Sequence, residues 1–276
     1  MTFRELLLQL VFPWMLMSIS LYYGLVTVVK LLLALDLATL TSWDKFNEAW
    51  FGNFWVYMGP VSKEGAEAWV RPLLEGRVRQ GDICQTVQHP VEGTVLEIGA
   101  GSGMWMDVLA QVTASSGKAT KVYGVEPNPI SAAALRRKVD ELGMQGRYEV
   151  LPYGIEDLQA KADMQPGSVD CIVTVQCLCS IPEPDKNIRL LYEYLKPGGR
   201  WYVYEHVKAE EGLLVPAYQR FSNFFWTFFM GSCSMCRSTR SSILSVGSWR
   251  AVDLERRVDE GPLSVIPHTM GTLQKA

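Results

Sequence analysis

Clustered positive charge is missing from this sequence. Its 276 residues hold 26 lysines and arginines against 29 aspartates and glutamates, evenly mixed and without a basic block or stripe. Phosphate neutralisation needs Lys and Arg gathered on one surface, so nucleic acid is set aside as the main partner. A disulfide framework is missing too. Cys84, Cys171, Cys177, Cys179, Cys233 and Cys236 are scattered through a chain long enough to bury a substantial core, and they read as reduced thiols. No internal repeat is visible, which leaves one domain of ordinary size plus an appendage.

Charge of either sign is absent from Leu6 to Val29, "LLLQLVFPWMLMSISLYYGLVTVV", and after Lys30 the apolar run resumes as "LLLAL". At ~1.5 Å per residue the run reaches roughly 36 Å, enough to cross a ~30 Å hydrocarbon core with some tilt. Trp14, Tyr22 and Tyr23 suit such a span, Lys30 can snorkel to the headgroups, and membrane helices tolerate a proline such as Pro13. Residues 1–35 are therefore expected to form a transmembrane anchor. A cleaved signal peptide normally has a shorter apolar stretch and a small-residue cleavage site, which this run lacks. A core or interfacial helix is the remaining alternative. Arg4 on one side and Lys30 and Lys45 on the other leave the orientation open.

Residues 36–92 read as an aromatic-rich lid or linker. "TSWDKFNEAWFGNFWVYMG" looks broken at Gly52 and Gly59, "SKEGAEAWVRPLLEGRV" looks helical, and residues 76–92 carry no strong pattern. From 93 to 276 a regular alternation sets in. "TVLEI", "KVYGVE", "RYEVLP", "SVDCIVTVQ" and "RWYVYEHV" read as short apolar strands, separated by helices at "GMWMDVLAQV", "NPISAAALRRKVDEL" (with Asn128 as N-cap) and "PDKNIRLLYEYL". "PGG" is expected to be a turn. Such alternation indicates an α/β, Rossmann-like, doubly wound and mostly parallel sheet with helices on both faces. "VPAYQRFSNFFWTFFMG" reads as a helix with aromatics nearly all round, suited to a core face, a membrane contact or a pocket wall. "WRAVDLERRV" and "PHTMGTLQKA" read as two last strands.

The first strand of this alternation runs into "VLEIGAGSGMW", with Gly99, Gly101 and Gly103 at alternate positions. Ligands of open parallel sheets bind outside the carboxyl ends of the strands, where backbone without side chains can approach a ligand and donate N–H groups to it. The dinucleotide pattern G-x-G-x-x-G needs glycine at 104, where this chain has Met104, and that disfavours a nicotinamide-dependent oxidoreductase. The next strand ends in "GVEPNP", placing Glu126 to accept hydrogen bonds from two ribose hydroxyls. Nicotinamide and methionine-derived nucleosides would both use such an acid.

The set "VLEIGAGSG", "GVEPNP", "GIEDL", "SVDCIVTVQCLCS" and "YLKPGGRWYVYEHV", in this order between Thr94 and Val207, resembles the class I S-adenosylmethionine-dependent methyltransferases. The N-terminal span, "LCS", "PGGRWYVYEHV", "GSCSMCRST" and "PHTMG" are similar to the membrane-anchored methyltransferase-like protein 7 group, which includes thiol methyltransferases. The resemblance implies S-adenosyl-L-methionine as cofactor and a seven-stranded sheet whose last strand runs antiparallel to the others. It implies that Glu97, Gly99, Gly101 and Gly103 line the methionine moiety and that Glu126 holds the ribose. Gly154, Ile155 and Glu156 would border the adenine, and Thr174, Val175 and Gln176 would pass beneath the sulfonium. In related quinone methyltransferases the position of Cys179 is often histidine, which makes Cys179 one candidate beside the acceptor.

The acceptor is expected to be a small lipophilic molecule, a hydroxyl or carboxyl of a secondary metabolite or of a quinone- or terpenoid-like compound, with an alkyl thiol as the alternative. A non-catalytic nucleoside-binding membrane scaffold is the rival of another class. The expected location is a single-pass attachment to the endoplasmic reticulum or another internal membrane, with the catalytic domain facing the cytosol. Residues Trp50 to Tyr57 and Phe221 to Phe229 are the expected lining of the acceptor pocket. His206, after Glu205 at the end of the fifth strand, is the other catalytic candidate, either as a general base or simply bonded to a neighbouring loop. His89 and His268 have nothing beside them in sequence that recruits them. Cys177 with Cys179, and Cys233 with Cys236, are unlike pairs and do not make the four matched ligands of a structural zinc site, so no metal is expected. "RSTR", Arg237 to Arg240, reads most simply as a solvated face, with contact to anionic lipid as the alternative.

Overall fold

The computed structural model describes residues 3–86, 88–115 and 121–276. The chain opens with three helices, α1 (Phe3–Leu33), α2 (Leu37–Leu40) and α3 (Trp43–Leu74), and a small hairpin of β1 (Val78–Arg79) and β2 (Asp82–Ile83). There follow β3 (Thr94–Ile98), α4 (Met106–Ser115), β4 (Lys121–Val125), α5 (Pro129–Glu141), β5 (Tyr148–Leu151), α6 (Leu158–Ala162), β6 (Val169–Val175), α7 (Pro184–Tyr194) and β7 (Leu195–His206). The chain ends with α8 (Leu214–Phe229), α9 (Thr239–Ser245), β8 (Trp249–Arg256) and β9 (His268–Lys275).

Seven strands form the sheet in the order β5-β4-β3-β6-β7-β9-β8. β5 through β7 pair in parallel, whereas β9 runs antiparallel to both β7 and β8, as the family frame implies. After β3 the chain builds outward through β4 and β5, then crosses back to lay β6 on the other side. The order therefore reverses between β3 and β6, and the glycine loop leaves β3 at that point.

Alternation along β3 divides the core into two layers. Val95 faces one layer with Leu73 and Leu74 of α3, Leu109 of α4 and Leu135 of α5. Leu96 and Ile98 face the other, with Ile188 and Leu191 of α7 and Ile243 of α9. Helices thus cover both faces. α5 begins as its sequence suggests: the Asn128 side chain accepts from the N–H groups of Ile130 and Ser131, and Pro129 takes the first helical position.

The segment before β3 is more ordered than its sequence suggests. Gly52 and Gly59 do not break the helix, and α3 runs unbroken for 32 residues. Gly52 is a close-packing position: a Cβ there would come 2.7 Å from Asn128 Oδ1 and 3.0 Å from Ile130 Cβ. The stretch 76–92, expected as a linker, contains the β1–β2 hairpin and the fully buried Val91. "PGG" lies inside β7, where the register against β6 shifts between Val169 and Cys171. α1 is held lengthwise by α3 and α8. Val265 N–H donates to Gln9 Oε1 at 3.0 Å, Trp14 Nε1 to Tyr218 at 2.9 Å, Trp50 Nε1 to the Ser20 carbonyl at 2.7 Å, and Lys30 to Asn53 at 2.7 Å.

Gly124, inside β4, makes room for a neighbouring ring. A Cβ there would approach Tyr148 Oη at 2.1 Å, because that tyrosine reaches from β5 over Gly124 to hydrogen-bond Glu97 on β3. Overpacking of this kind costs about 1–3 kcal/mol. Gly124→Ala is expected to lower the thermal midpoint by roughly 3–10 °C, read by calorimetry; an unchanged midpoint would mean that the ring moves aside freely.

Candidate active site

A cavity of about 620 Å³ opens at the carboxyl ends of β3, β4, β5 and β6 and is roofed by α3. The glycine loop forms its floor. Gly99 and Gly101 hold φ of +65° and +57°, a left-handed conformation that side chains resist. Gly99 has no room for a side chain, since a Cβ there would lie 2.4 Å from Cys177 Cβ. At Gly101 the nearest atom to such a Cβ is the Gly99 carbonyl at 3.9 Å, so this position faces open cavity. Gly99 and Ala100 N–H both donate to the Val125 carbonyl, at 3.0 and 3.2 Å, which draws the loop onto the end of β4.

Glu126 stands at that end. Its two carboxylate oxygens accept from Gly101 N–H and Asn128 N–H, each at 2.9 Å, and burial raises its pKa. The adjoining wall consists of Gly154, Ile155 and Glu156 after β5 and of Val175, Gln176, Cys177 and Ser180 at and after the end of β6. Phe51 and Trp55 of α3 and Gly231 after α8 close the far side, and Asp44, Lys45 and Glu48 sit on the α3 side of the opening.

Eight of the eleven expected cofactor residues line this cavity: Gly99, Gly101, Glu126, Gly154, Ile155, Glu156, Val175 and Gln176. The other three stand behind its wall. Glu97 shares the Val95 face of β3, where it is buried and accepts from Tyr148. Gly103 faces α5, where a Cβ would come 3.0 Å from Lys138 Cγ and 3.2 Å from Leu135 Cδ1. Thr174 is fully buried and accepts from Trp201 Nε1 at 3.0 Å. Alternation explains Thr174, since neighbouring strand residues face opposite ways.

Burial without a cationic partner pushes Glu97 up to about 7, with Glu126 adding repulsion and Tyr148 opposing it. A carboxyl whose folded pKa exceeds its unfolded value stabilises the fold fully below the unfolded pKa of ~4.5, and that contribution is lost as pH rises towards 7. The share is about 3 kcal/mol. The thermal midpoint of the unliganded protein is therefore expected to fall between pH 5 and 7.5. Glu97→Gln should fall clearly less over the same interval; parallel curves would show that Glu97 is already ionised at pH 5.

The two catalytic candidates lie outside the lining. His206 and Cys179 are 7% and 3% exposed and meet behind the wall, where His206 Nε2 lies 3.3 Å from Cys233 Sγ. His206 is thus not placed as a base toward the cavity. Of the aromatic segments, Phe51 and Trp55 line the cavity, while Phe221 to Phe229 do not: Phe221, Phe224 and Phe228 point outward and Trp226 is buried against Cys233. Arg237 and Arg240 are no solvated face. Arg237 donates to the carbonyls of Cys179 at 3.0 Å and Ile181 at 2.9 Å, and Arg240 donates to that of Leu254 at 3.0 Å. All six cysteines are free thiols.

Sequence reasoning passed over His268. Its Nδ1 lies 2.7 Å from Glu260 Oε1 and its Nε2 3.1 Å from the side-chain amide of Gln176. Gln176 lines the cavity with φ of +52°, so a partly buried histidine–glutamate pair steers a strained residue at the wall. No sequence signal links residues 92 positions apart.

A buried carboxylate beside bare, upward-facing main chain fits a ribose with an attached amino-acid chain, and the open space at Gly101 is the room such a ligand needs. Comparison with known proteins agrees. A family described as a methyltransferase domain matches residues 76–240. The thiol S-methyltransferase TMT1B of Rattus norvegicus is 30% identical over 187 residues, covering 67% of this chain and 71% of that protein. The thiol S-methyltransferase TMT1A of Homo sapiens is 27% identical over 239 residues, covering 83% and 87%. Among solved structures, the mitomycin 7-O-methyltransferase MmcR superposes with a TM-score of 0.56 at 17% identity, over 96% of this chain and 67% of that one. With more than half of its length matched and the sheet order and loop in agreement, the chain belongs to the methyltransferase domain family and is an S-adenosylmethionine-dependent methyltransferase.

Proposed function

We propose that this enzyme S-methylates small lipophilic alkyl thiols. The observation that carries the reading is the chemistry of the cavity wall. Among the described residues its lining includes carboxyl and apolar groups but no histidine. An alcohol or phenol acceptor needs a base in reach, whereas a thiol ionises near pH 8.5 and supplies its own thiolate. The thiol S-methyltransferases among the relatives support the same choice over the hydroxyl and carboxyl acceptors expected first.

S-adenosyl-L-methionine, when bound, supplies an activated methyl carbon on a good leaving group. The protein's task is alignment and exclusion of water. In this reading Glu126 accepts from the ribose hydroxyls, the backbone at Gly99 and Gly101 supports the methionine portion, and Gly154, Ile155 and Glu156 border the adenine. Val175 and Gln176 underlie the sulfonium side, and Phe51 and Trp55 form an apolar cover that guides a lipophilic thiol and keeps water out. Glu97, Gly103 and Thr174 act from behind, by holding the loop and strand ends in place.

Attachment to a membrane through α1 completes the proposal. The outer face of α1 exposes Leu7, Leu8, Val11, Phe12, Met15, Leu21, Leu25 and Val29. It is continuous with the outer aromatics of α8 and α3, since Trp14 touches Phe221 and Phe225, and Tyr23 stacks on Tyr57. So broad an apolar face marks a lipid contact. Its lengthwise packing on α3 and α8 supports a helix lying along the surface rather than the single-pass span expected from length. Protease accessibility of tags at the two termini separates these: a span puts them on opposite sides of a vesicle, a surface-lying helix on the same side.

The acceptor is tested by incubating the protein with labelled methyl donor and panels of lipophilic thiols, phenols and carboxylic acids. Label is expected on thiols. Label on hydroxyls or carboxyls alone would overturn the assignment.

A further inference from the structure

Behind the cavity wall, three segments far apart in sequence bring two thiols and an imidazole together. Cys179 lies in the loop after β6, His206 ends β7, and Cys233 lies in the loop after α8. The two Sγ atoms are 3.2 Å apart and His206 Nε2 is 3.3 Å from Cys233 Sγ. All three donor atoms fall within 4.8 Å of one another, and all three residues are buried. In sequence Cys179 neighbours Cys177 and Cys233 neighbours Cys236, pairs from which no metal is expected; the fold brings one cysteine of each together with a histidine.

We propose that Cys179, Cys233 and His206 form a buried site for a soft monovalent cation of the Cu(I) class. Two sulfurs and one imidazole are a soft donor set. A metal ~2.0–2.3 Å from each of three surrounding donors holds them roughly 3.5–4 Å apart. The two spacings to Cys233 Sγ, 3.2 and 3.3 Å, fall a few tenths of an ångström short of that, which small side-chain rotations supply. Ser180 Oγ, 3.5 Å from Cys179 Sγ, is a hydroxyl and a poor fourth ligand. Zinc in a structural site requires four ligands, whereas a three-donor soft set suits Cu(I).

The surroundings match a bound thiolate. Trp226 Nε1 donates to Cys233 Sγ at 3.3 Å, the kind of outer contact that orients a ligand. The Arg237 guanidinium, bonded to the Cys179 and Ile181 carbonyls, brings a positive charge beside the site. His206 Nδ1 is buried with no hydrogen-bond partner among the described residues, so hydrogen bonding alone does not explain an imidazole here. On binding, two S–H bonds are exchanged for two sulfur–metal bonds, both protons leave to solvent, the neutral imidazole donates through Nε2, and no electron is transferred. The two cysteine loops also build the cavity wall, through Ser180, Ile181 and Pro182 on one side and Gly231 on the other. An ion at this site would pin those loops together.

The test uses the full-length protein, reduced and handled without oxygen, in a Cys84→Ser/Cys236→Ser background that removes the half-buried thiols outside the cavity and keeps Cys177 in its wall. Cu(I) is delivered from a chromophoric chelator of known affinity. One equivalent is expected to transfer, with a thiolate-to-copper absorption band and an X-ray absorption signature of two sulfurs and one nitrogen. Cys233→Ser should weaken binding by more than about 100-fold. Because a buried variant can misfold, the unsubstituted pair is also probed directly: under partial denaturation Cu(I) should protect Cys179 and Cys233, but not Cys171 or Cys177, from alkylation read by mass spectrometry. Failure of one equivalent to transfer, protection of the other cysteines instead, a sulfur-only signature, or a Cys179–Cys233 disulfide in the reduced preparation would each overturn the proposal.

Discussion

Gly101→Val should abolish cofactor binding. Calorimetric titration with S-adenosylhomocysteine is expected to show affinity reduced more than about 100-fold, or ~2.7 kcal/mol. Two effects act in the same direction. The position holds φ of +57°, which a β-branched residue resists, so the loop is pushed out of its conformation. The added side chain also projects into open cavity, since the nearest atom to a Cβ there is 3.9 Å away. Loss of binding through displaced backbone and loss through occupied space are separated by two companions. Gly101→Ala keeps most of the strain with little of the volume and should bind measurably, though more weakly. Gly143, at φ of +61° with nothing within 4 Å, carries similar backbone strain away from the cavity. Gly143→Ala should lower stability yet leave affinity alone. Near-normal affinity in Gly101→Val would remove the glycine loop from the binding site altogether.

The sheet and the loop were legible in the sequence because both are local. The short apolar run "TVLEI", buried throughout from Val95 to Ile98, the cap at Asn128 and the glycines at 99 and 101 each act within a few residues of where they stand. What escaped was set by contacts between distant segments. Gly52 and Gly59 look like breaks, yet Gly52 is small because Asn128 and Ile130 press on it, an approach visible only once α3 lies across α5. Gly124 is small because Tyr148 crosses it on the way to Glu97. Family motifs pointed to stretches of chain that meet at the cavity but carry no facing for each residue: Glu97, Gly103 and Thr174 stand behind the wall while their neighbours line it. The aromatic helix α8 could be read as core, membrane face or pocket wall. Its position beside α1 decides for the outer surface, while Asn223 and Trp226 on its inner side reach the loop that carries Cys233.

The second large effect expected is on pH dependence. With saturating cofactor and an alkyl thiol as acidic as a cysteine side chain, kcat/KM should rise about tenfold per pH unit below the thiol's pKa of ~8.5, hence a little under about 100-fold from pH 6 to 8. The slope follows from what the cavity contains. Cys177 is the thiol in its lining, and burial beside Glu205 raises its pKa well above the ordinary value, so it is neither a nucleophile nor a base in this range. A carboxylate is a weak base toward a thiol, and His206 sits behind the wall against Cys233. His268 is screened from the cavity by Gln176, and burial lowers its pKa. The ionisation that limits the rate then belongs to the acceptor. A more acidic aryl thiol should carry the whole profile to lower pH by the difference between the two acceptors' pKa values, with the slope unchanged. A base supplied by the protein predicts the opposite, a midpoint fixed near one value whichever thiol is used. Such a fixed midpoint would mean that a wall residue takes the proton, and Gln176 would then have to swing aside to admit His268.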